Sequence, residues 1–278
     1  MPNQDNVNQV PNYILDHSDL ELQRLISQSQ FYLRQTKNLL WDAGIESGMK
    51  VLDLGSGTGD VSFLASKLVG PNGSVVGVDK SSEAVTMAKR RASAGGYENV
   101  KFVESNIHNF STEQLFDIVI GRLILMYQPD PVETVSQVAK YVKPGALVIF
   151  QELDFTSNTL TKPHAPLYEC AIGWIKEVLH RANIPTQMGL MLYRTFVEAG
   201  LPAPEVVGST RIEGGKDSPM YEYIAESVRS LLPRMEQFKV TTAEEVQVDT
   251  LAKRLCDESV NNGGVAVLPM LMGAWSHK

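Results

Sequence analysis

Cysteine, long apolar stretches and excess positive charge are scarce in this chain of 278 residues, and each shortage excludes a class of protein. The two cysteines, Cys170 and Cys256, form no C-x-x-C pair, which excludes a disulfide framework and a cysteine-rich zinc site. The most extended apolar stretch, Val265 to Trp275, falls far short of the roughly 20 residues that a membrane-spanning helix needs. We therefore expect no membrane span.

The first ten residues indicate a location, and the balance of charge argues against a nucleic-acid partner. Residues 1–10 have neither the basic nor the apolar region of a secretory signal, so we expect a cytoplasmic protein. Asp and Glu number 32 against 25 Lys and Arg, which gives a net charge of -7. Proteins that bind nucleic acids through the phosphates cluster Lys and Arg. No nucleic-acid partner is therefore expected.

Short apolar stretches alternate with helical periodicity between residues 50 and 155. A longer helix is predicted before them, from about 19 to 43. Short apolar strands alternating with helices form parallel sheets that helices cover on both faces. The sequence therefore predicts a doubly wound, mostly parallel α/β sheet. The predicted strands are Val51–Leu54, Ser74–Val78, Val100–Val103, Phe116–Ile120 and Ala146–Phe150, and the apolar stripe of the first helix is Leu22, Leu25, Ile26, Leu33 and Leu40.

After Phe155 this alternation stops. Two further predicted strands, 205–212 and 265–275, bring the sheet to seven, and residues 218–261 are predicted to be helical with an interruption near Pro233. We interpret the added helices as insertions that cap the sheet rather than as a separate domain. The predicted organisation is an N-terminal arm and cap helix (1–43), a ligand-binding core (44–155) and a remainder that combines the last strands with helical caps (156–278).

Three glycines alternate with other residues in a loop that directly follows the first predicted strand and directly precedes a helix, Asp53-Leu54-Gly55-Ser56-Gly57-Thr58-Gly59-Asp60. Glycines let the backbone turn tightly and approach a ligand, and ligands of doubly wound sheets bind at the carboxyl ends of the strands. A dinucleotide fingerprint would need glycine where Asp60 stands, and an acid at a helix N-terminus disfavours a pyrophosphate. No Walker sequence is present either, so we expect no phosphate in this loop.

A second acidic residue, Asp79, ends the second predicted strand, in the sequence VVGVD. In doubly wound folds an acid at this place accepts hydrogen bonds from ribose hydroxyls. An Asp that merely begins the next turn is the alternative. The glycine loop beside it favours the ribose interpretation.

These motifs carry a family resemblance. The segments VLDLGSGTGD (51–60), VVGVD (75–79), 103–107 and FDIVIGRLILMYQPDP (116–131) resemble the successive motifs of class I methyltransferases that depend on S-adenosylmethionine (SAM). Among these the chain is most similar to the UbiE/Coq5-like small-molecule branch, over about residues 13–155. The resemblance implies a Rossmann-like fold, SAM as cofactor and S-adenosylhomocysteine (SAH) as product.

The resemblance also implies roles for residues of the first two motifs. Gly55, Ser56 and Gly57 would line the methionine part of SAM by backbone contact. Asp53 would hold the loop or reach the ammonium group. Asp79 would bind the ribose hydroxyls.

Further roles follow from the next motifs. Lys80 would lie beside the adenine, and Ile107 would donate its backbone N–H to the ring. Asn106 stands where the family usually has an Asp, and its side-chain carbonyl can still accept from the adenine amino group. Gly121 and Arg122 would flank the methionine carboxylate or the substrate entrance.

The catalytic groups are less marked, because in-line methyl transfer depends mainly on positioning and needs a general base only for some acceptors. In similar proteins the arm before the first helix folds over SAM, so Tyr13 or His17 could face the acceptor; a mobile arm is the alternative. Arg122 is a charge at a strand's carboxyl end, where packing does not explain it. Glu152 alternates with Asp154 on one strand face. The two would act as bases or a metal foothold, or form a solvated strand end; we expect no metal.

Three functions stay open from the sequence. The leading one is SN2 transfer of a methyl group from SAM to a nitrogen, oxygen or carbon atom of a small molecule. The alternatives are a methyltransferase that modifies RNA or protein, and a SAM-binding protein that does not methylate. Residues 168–179 are apolar enough to form either a substrate lid or the surface of a homodimer.

Overall fold

A computed structural model describes residues 19–156 and 161–278. Tyr13 and His17, two of the predicted catalytic residues, lie outside the described residues. None of the described helices is long and apolar enough to cross a membrane.

A seven-stranded sheet organises the described chain, in the order β3-β2-β1-β4-β5-β10-β7. Strands β1 to β5 pair in parallel, and β10 is antiparallel to both β5 and β7. The predicted doubly wound, mostly parallel seven-stranded sheet is therefore confirmed. A second sheet, β6-β9-β8, has three short strands. The strands are β1 Lys50–Leu54, β2 Ser74–Asp79, β3 Val100–Glu104, β4 Phe116–Arg122, β5 Val142–Asp154, β6 Thr161–Lys162, β7 Glu205–Ser209, β8 Ile212–Gly214, β9 Val265–Val267 and β10 Met270–His277.

Helices cover the sheet and form the cap. The N-terminal helix α1 and the central helix α7 contact each other, and α7 also packs against α5 and α9. A large apolar cluster unites β1, β4 and β5 with residues of α5, α7 and α9. The helices are α1 Asp19–Asp42, α2 Asp60–Val69, α3 Ser82–Gly95, α4 Pro131–Val138, α5 Pro166–Arg181, α6 Met188–Glu198, α7 Met220–Gln237, α8 Ala243–Val246 and α9 Val248–Asn261.

The predicted interruption near Pro233 is wrong, because α7 continues through it to Gln237. A proline in a helix interior removes a hydrogen bond and crowds the preceding turn. Leu231 and Met235 are both buried on either side of it, and their burial offsets this cost. The helical region breaks only after Gln237.

Both strands predicted in the second half divide into two. The stretch 205–212 breaks at Thr210 and Arg211, and the stretch 265–275 breaks at Leu268 and Pro269. The two breaks face each other, since the Leu268 N–H donates to the Arg211 carbonyl and the Thr210 hydroxyl donates to the Leu268 carbonyl. Each stretch thus gives one strand to the large sheet and one to the small sheet, and Pro269 supplies no N–H for continuous pairing.

Candidate active site

The glycine loop turns at the carboxyl end of β1, in the middle of the sheet. Gly55, Gly57 and Gly59 all have left-handed backbones, with φ of 64°, 52° and 92°. A Cβ atom on Gly55 would lie 2.3 Å from a methyl carbon of Ile124, in the loop that follows β4. The glycines therefore permit both the turn and the close approach of two loops that belong to neighbouring strands.

Gly59 holds the N-cap position of α2, and Asp60 is the first helical residue. The Asp60 carboxylate accepts hydrogen bonds from the two terminal guanidinium nitrogens of Arg91, each at 2.8 Å. Arg91 also donates to the Thr58 carbonyl at 2.7 Å. This fork of hydrogen bonds from α3 neutralises Asp60 and holds the end of the glycine loop.

Asp53, the last acidic residue before the loop, is buried at the cavity wall and accepts a hydrogen bond of 2.5 Å from the Ser62 hydroxyl. Burial raises the pKa of its carboxyl from 3.8 to about 7, against the opposing effects of Ser62 and the Arg122 charge. Asp53 is therefore poised to change protonation near neutral pH.

Asp79 lies at the end of β2 and is held by two backbone N–H groups. Gly57 donates to one carboxylate oxygen at 2.8 Å, and Ser81 donates to the other at 2.9 Å. Each oxygen keeps acceptor capacity for a ligand hydroxyl. Asp79 thereby links the glycine loop to the start of α3 while facing the cavity.

The loops after β2 and β3 supply one rim of the cavity. Lys80, Asn106 and Ile107 all line it. The Asn106 side-chain oxygen accepts from the His108 backbone N–H at 3.0 Å, which closes a local turn. That turn fixes the direction of the asparagine side chain.

The loop after β4 carries a strained residue. Leu123, which lines the cavity, has a left-handed backbone with φ of 56°, a conformation that costs a non-glycine residue of order 1–3 kcal/mol. Its N–H donates to the Gln151 carbonyl at 2.8 Å. Next to it, the N–H groups of Ile124 and Leu125 donate to one Glu152 oxygen at 2.9 and 2.7 Å.

Glu152 is fully buried, accepts from these backbone N–H groups and does not itself line the cavity. Its other oxygen is buried with no hydrogen-bond partner among the described residues. Burial raises the pKa of Glu152 from 4.5 to about 8, although the backbone N–H groups oppose the shift. These hydrogen bonds hold the loop after β4, and the function of Glu152 as a base stays a prediction.

Arg122 ties α1 to the carboxyl end of the sheet. Its guanidinium donates to the hydroxyls of Ser29 at 2.9 Å and Thr36 at 3.1 Å, both on α1. Thr36 in turn donates to the Gln151 side chain at 2.8 Å. Burial lowers the pKa of Arg122, opposed by Asp60 and Asp53. The neighbouring Gly121 lies behind the cavity wall, where Phe150 and Ile124 would crowd a side chain.

One cavity of about 360 Å³ joins these loops to the helices of the second half. Its cofactor side comprises the lining residues of the loops after β1, β2 and β3. Its cap side comprises the lining residues of α5 and α7, of the end of β5 and of the turn between β9 and β10. The cap-side residues are Leu153, Phe155, Ile172, Ile175, Leu179, Tyr223, Ile224, Ser227, Leu231, Leu268 and Pro269.

Two tyrosine hydroxyls meet where α1 and α7 cross the cavity. The Tyr32 hydroxyl lies 2.9 Å from the Tyr223 hydroxyl, and both residues line the cavity. Phe31 stacks on Tyr223 with ring centres 4.3 Å apart, and the Arg211 guanidinium lies 4.0 Å from the Phe31 ring centre. Burial raises the pKa of Tyr32 well above its usual value, so Tyr32 stays protonated at neutral pH.

The cofactor side fits SAM. The Ser56 hydroxyl is buried there without a hydrogen-bond partner among the described residues, which leaves a donor and acceptor for a ligand. The glycine loop presents backbone rather than Cβ atoms, and Asp79 presents acceptors. Across residues 19–156 and 161–278, no cluster of three or more His, Cys, Asp or Glu could hold a metal ion.

The sequence analysis identified most residues of the cofactor side but missed several residues at or near the cavity. Asp53, Gly55, Ser56, Gly57, Asp79, Lys80, Asn106, Ile107 and Arg122 all line the cavity, while Gly121 and Glu152 do not; the functions of these residues remain predictions. Tyr32, Tyr223 and Arg91 were missed. Tyr32 carries a local signal, since it lies on the same helical face as Ser29 and Thr36. Tyr223 and Arg91 reach the site only through the tertiary fold.

Comparison with known proteins agrees with this site. A family described as "Methyltransferase domain" matches residues 45–188. The chain is 29% identical over 167 residues to demethylmenaquinone methyltransferase of Lactococcus lactis, covering 60% of this chain and 66% of that protein. It is 32% identical over 133 residues to the enzyme of the same name from Staphylococcus aureus, covering 48% and 54%. An uncharacterised 37.1 kDa protein of a Streptomyces fradiae transposon is 30% identical over 185 residues, covering 64% and 51%. The chain thus spans about half to two thirds of these relatives.

Solved structures share the fold. A SAM-dependent methyltransferase of Aquifex aeolicus superposes with a TM-score of 0.52 at 19% identity, over 72% of this chain and 95% of that one. An N-methyltransferase of Haemonchus contortus, solved with phosphomonomethylethanolamine and SAH, gives 0.59 at 16% identity, over 96% and 60%.

The sheet order and the glycine loop with its spaced acid accord with the methyltransferase domain that the family match identifies. The family match covers more than half of the chain. The chain belongs to this methyltransferase-domain family.

Proposed function

We propose that this protein transfers the methyl group of SAM to a nitrogen, oxygen or carbon atom of a small molecule. The observation that carries the proposal is the one cavity that joins the glycine loop and Asp79 to the apolar cap side. Methyl transfer needs donor and acceptor held in near-attack contact. A shared cavity closed by α5 and α7 supplies that contact and limits the acceptor to a small molecule.

SAM would supply a methyl group on a positively charged sulfur, which makes the methyl carbon electrophilic. The glycine loop would let backbone N–H groups and the Ser56 hydroxyl approach the methionine part. Asp79, already oriented by Gly57 and Ser81, would accept from the ribose hydroxyls. Asp53 would balance the ammonium charge, and Asn106 with Ile107 would hold the adenine at the rim.

Positioning carries more of the catalysis in this proposal than proton transfer does. The cavity-lining tyrosines Tyr32 and Tyr127 have pKa values that burial raises, so they stay protonated and donate hydrogen bonds rather than accept protons. Tyr13 and His17 remain candidates for a base on the arm before α1. A nucleophile that needs no base is compatible with this arrangement.

The test is incubation of methyl-labelled SAM with the protein and a cell extract, followed by separation by mass. We expect label in a product of low mass, and less of it with Asp79→Ala when SAM is limiting. Label in a polymer that disappears on nuclease or protease treatment would overturn the proposal in favour of a macromolecular target. SAM binding without any SAH formation would indicate a protein that does not methylate.

We also propose a cytoplasmic location and the absence of a nucleic-acid partner, and the net charge of -7 supports the second of these. A homodimer is less well supported. The apolar residues of the 168–179 segment that suggested it, such as Ile172, Val178 and Leu179, are buried within the chain. A substrate lid is the alternative that we retain for this segment.

A further inference from the structure

The cap side of the cavity has an unusual charge distribution. Among the described residues that line it, none is charged, and only Tyr223 and Ser227 have polar side chains. The Ser227 hydroxyl donates to the Tyr223 backbone carbonyl at 2.7 Å, within α7. Its hydrogen is thereby used inside the helix. The Tyr223 hydroxyl is the remaining polar group of the cap side.

Several charged groups elsewhere on the cavity wall already have partners within the chain. Asp60 is paired with Arg91 and Asp79 holds two backbone N–H groups. Arg24, which lines the cavity from α1, is paired with the buried Glu21 through two hydrogen bonds of 2.7 Å. The cap side therefore offers no carboxylate for an ammonium group and no uncompensated cation for a carboxylate. A charged acceptor would lose its hydration there without a partner, which is costly.

The tyrosine pair supplies one specific polar contact. Two hydroxyls carry two hydrogens, and the bond between Tyr32 and Tyr223 uses one of them. Within the described part of the chain, neither hydroxyl has another hydrogen-bond partner. One O–H therefore remains to donate to a ligand oxygen at the junction of α1 and α7.

We infer that the methyl acceptor is an uncharged, mainly apolar molecule that places an oxygen atom against the Tyr32–Tyr223 hydroxyl pair. This inference rests on the proposed function, since it names the acceptor class for the same cavity. Tyr223 is then a specificity-determining residue. The apolar wall from α5 selects the body of the molecule, and the hydroxyl pair selects its oxygen.

The test uses three probes of one shape and different charge: 4-butylphenol, 4-butylbenzylamine and 4-butylbenzoate. Their binding to the SAH-saturated protein is measured by calorimetry at pH 7. We expect the neutral phenol to bind at least about tenfold more tightly than the cation or the anion, because only the charged probes bury an unpaired ion. Tighter or equal binding of either charged probe would overturn the inference, and so would failure of all three to bind.

Two tyrosine variants of α7 separate the hydroxyl from the fold. Tyr223→Phe should weaken phenol binding about threefold to tenfold, the effect of one lost hydrogen bond, and leave SAH affinity unchanged. Tyr221→Phe is the matched control, because the Tyr221 hydroxyl donates to the Gly215 carbonyl at 2.9 Å and does not line the cavity. Equal phenol affinity in the Tyr223 variant and the control would refute the hydroxyl contact.

A blocking variant places the probe in the cavity. Ile175→Trp fills the α5 wall and should abolish phenol binding while SAH still binds. Phenol binding that survives this substitution would contradict the assigned location. Failure of the unmodified protein to bind SAH would instead count against the proposed function. Failure of the inference and failure of the proposed function are therefore distinguishable.

Discussion

Asp79 is the single side chain that we expect to set the cofactor affinity of this site. Asp79→Ala would remove charge-assisted hydrogen bonds to the ribose, each contributing about 1.5–3 kcal/mol. We expect SAH affinity to fall at least about tenfold, as measured by calorimetry. Glu104→Ala is the matched control, because Glu104 pairs with Asp79 in register on β3 but does not line the cavity. Equal dissociation constants for the two variants would mean that the ribose lies elsewhere.

Glu152 is a second single residue with a large effect, because it should make the stability of the fold depend on pH. Its pKa rises from 4.5 to about 8 on folding because of burial, so the folded chain holds a proton that the unfolded chain has lost. Its contribution to stability is fully present below about pH 4.5 and is lost as pH rises towards 8. Glu152→Gln has no titrating group at this position. Its free energy of unfolding should therefore rise relative to that of the wild type by about 1 kcal/mol or more per pH unit between these limits. Urea unfolding at pH 5.5 and 7.5 tests it; a constant difference between the two proteins would contradict the expected pKa.

At the scale of elements, α1 is attached to the sheet by polar contacts as well as apolar ones. Ser29→Ala with Thr36→Val would leave the Arg122 guanidinium without its two hydroxyl acceptors, at a cost of about 1–3 kcal/mol. We expect faster hydrogen exchange of the α1 amides. Asn38→Ala, on the exposed face of the same helix, should change nothing. Unchanged exchange in the double variant would show that apolar packing alone holds α1.

The same helix shows how far sequence reasoning reaches. Its bounds were predicted within one residue, because the capping-box sequence Ser18-Asp19-Leu20-Glu21 and the glycine Gly44 mark its two ends. Its buried face was predicted less well: Leu33 is exposed, whereas Tyr32 is buried. The true stripe runs through Leu22, Ser29, Thr36 and Leu40, and hydrophobicity alone overlooks its two hydroxyl residues.

For the sheet, the strands of the first half were predicted because each is a short apolar run between turn signals. The two strands of the second half were each predicted as continuous. Their breaks at Thr210–Arg211 and Leu268–Pro269 depend on pairing between segments far apart in sequence. For the site, local motifs identified the cofactor side, whereas the cap side needed the tertiary arrangement of α5 and α7.

At the scale of the whole molecule, the two halves share one core and one cavity. The apolar cluster includes residues of β1 and β4 together with residues of α5, α7 and β10. We expect denaturant unfolding in one transition, with coincident curves from circular dichroism and tryptophan fluorescence. SAH at about 100 times its dissociation constant should stabilise that transition by about 2.7 kcal/mol. Two separate transitions, only one of them sensitive to SAH, would indicate independent domains.

Asp53 gives the cofactor side a property that calorimetry can detect as proton release. With its pKa near 7, the buried carboxyl is partly protonated at neutral pH, and a bound ammonium group would favour its charged form. Binding of SAH should therefore expel a fraction of a proton into the buffer. The measured heat should then vary with the ionisation enthalpy of the buffer, in proportion to that fraction.

Asp53→Asn should abolish this variation, and affinity in the wild type should rise with pH through about 7. Identical heats in phosphate and Tris would place the ammonium group away from Asp53. If the proton release is observed, the affinity of this protein for its cofactor changes with the pH of its surroundings within the neutral range.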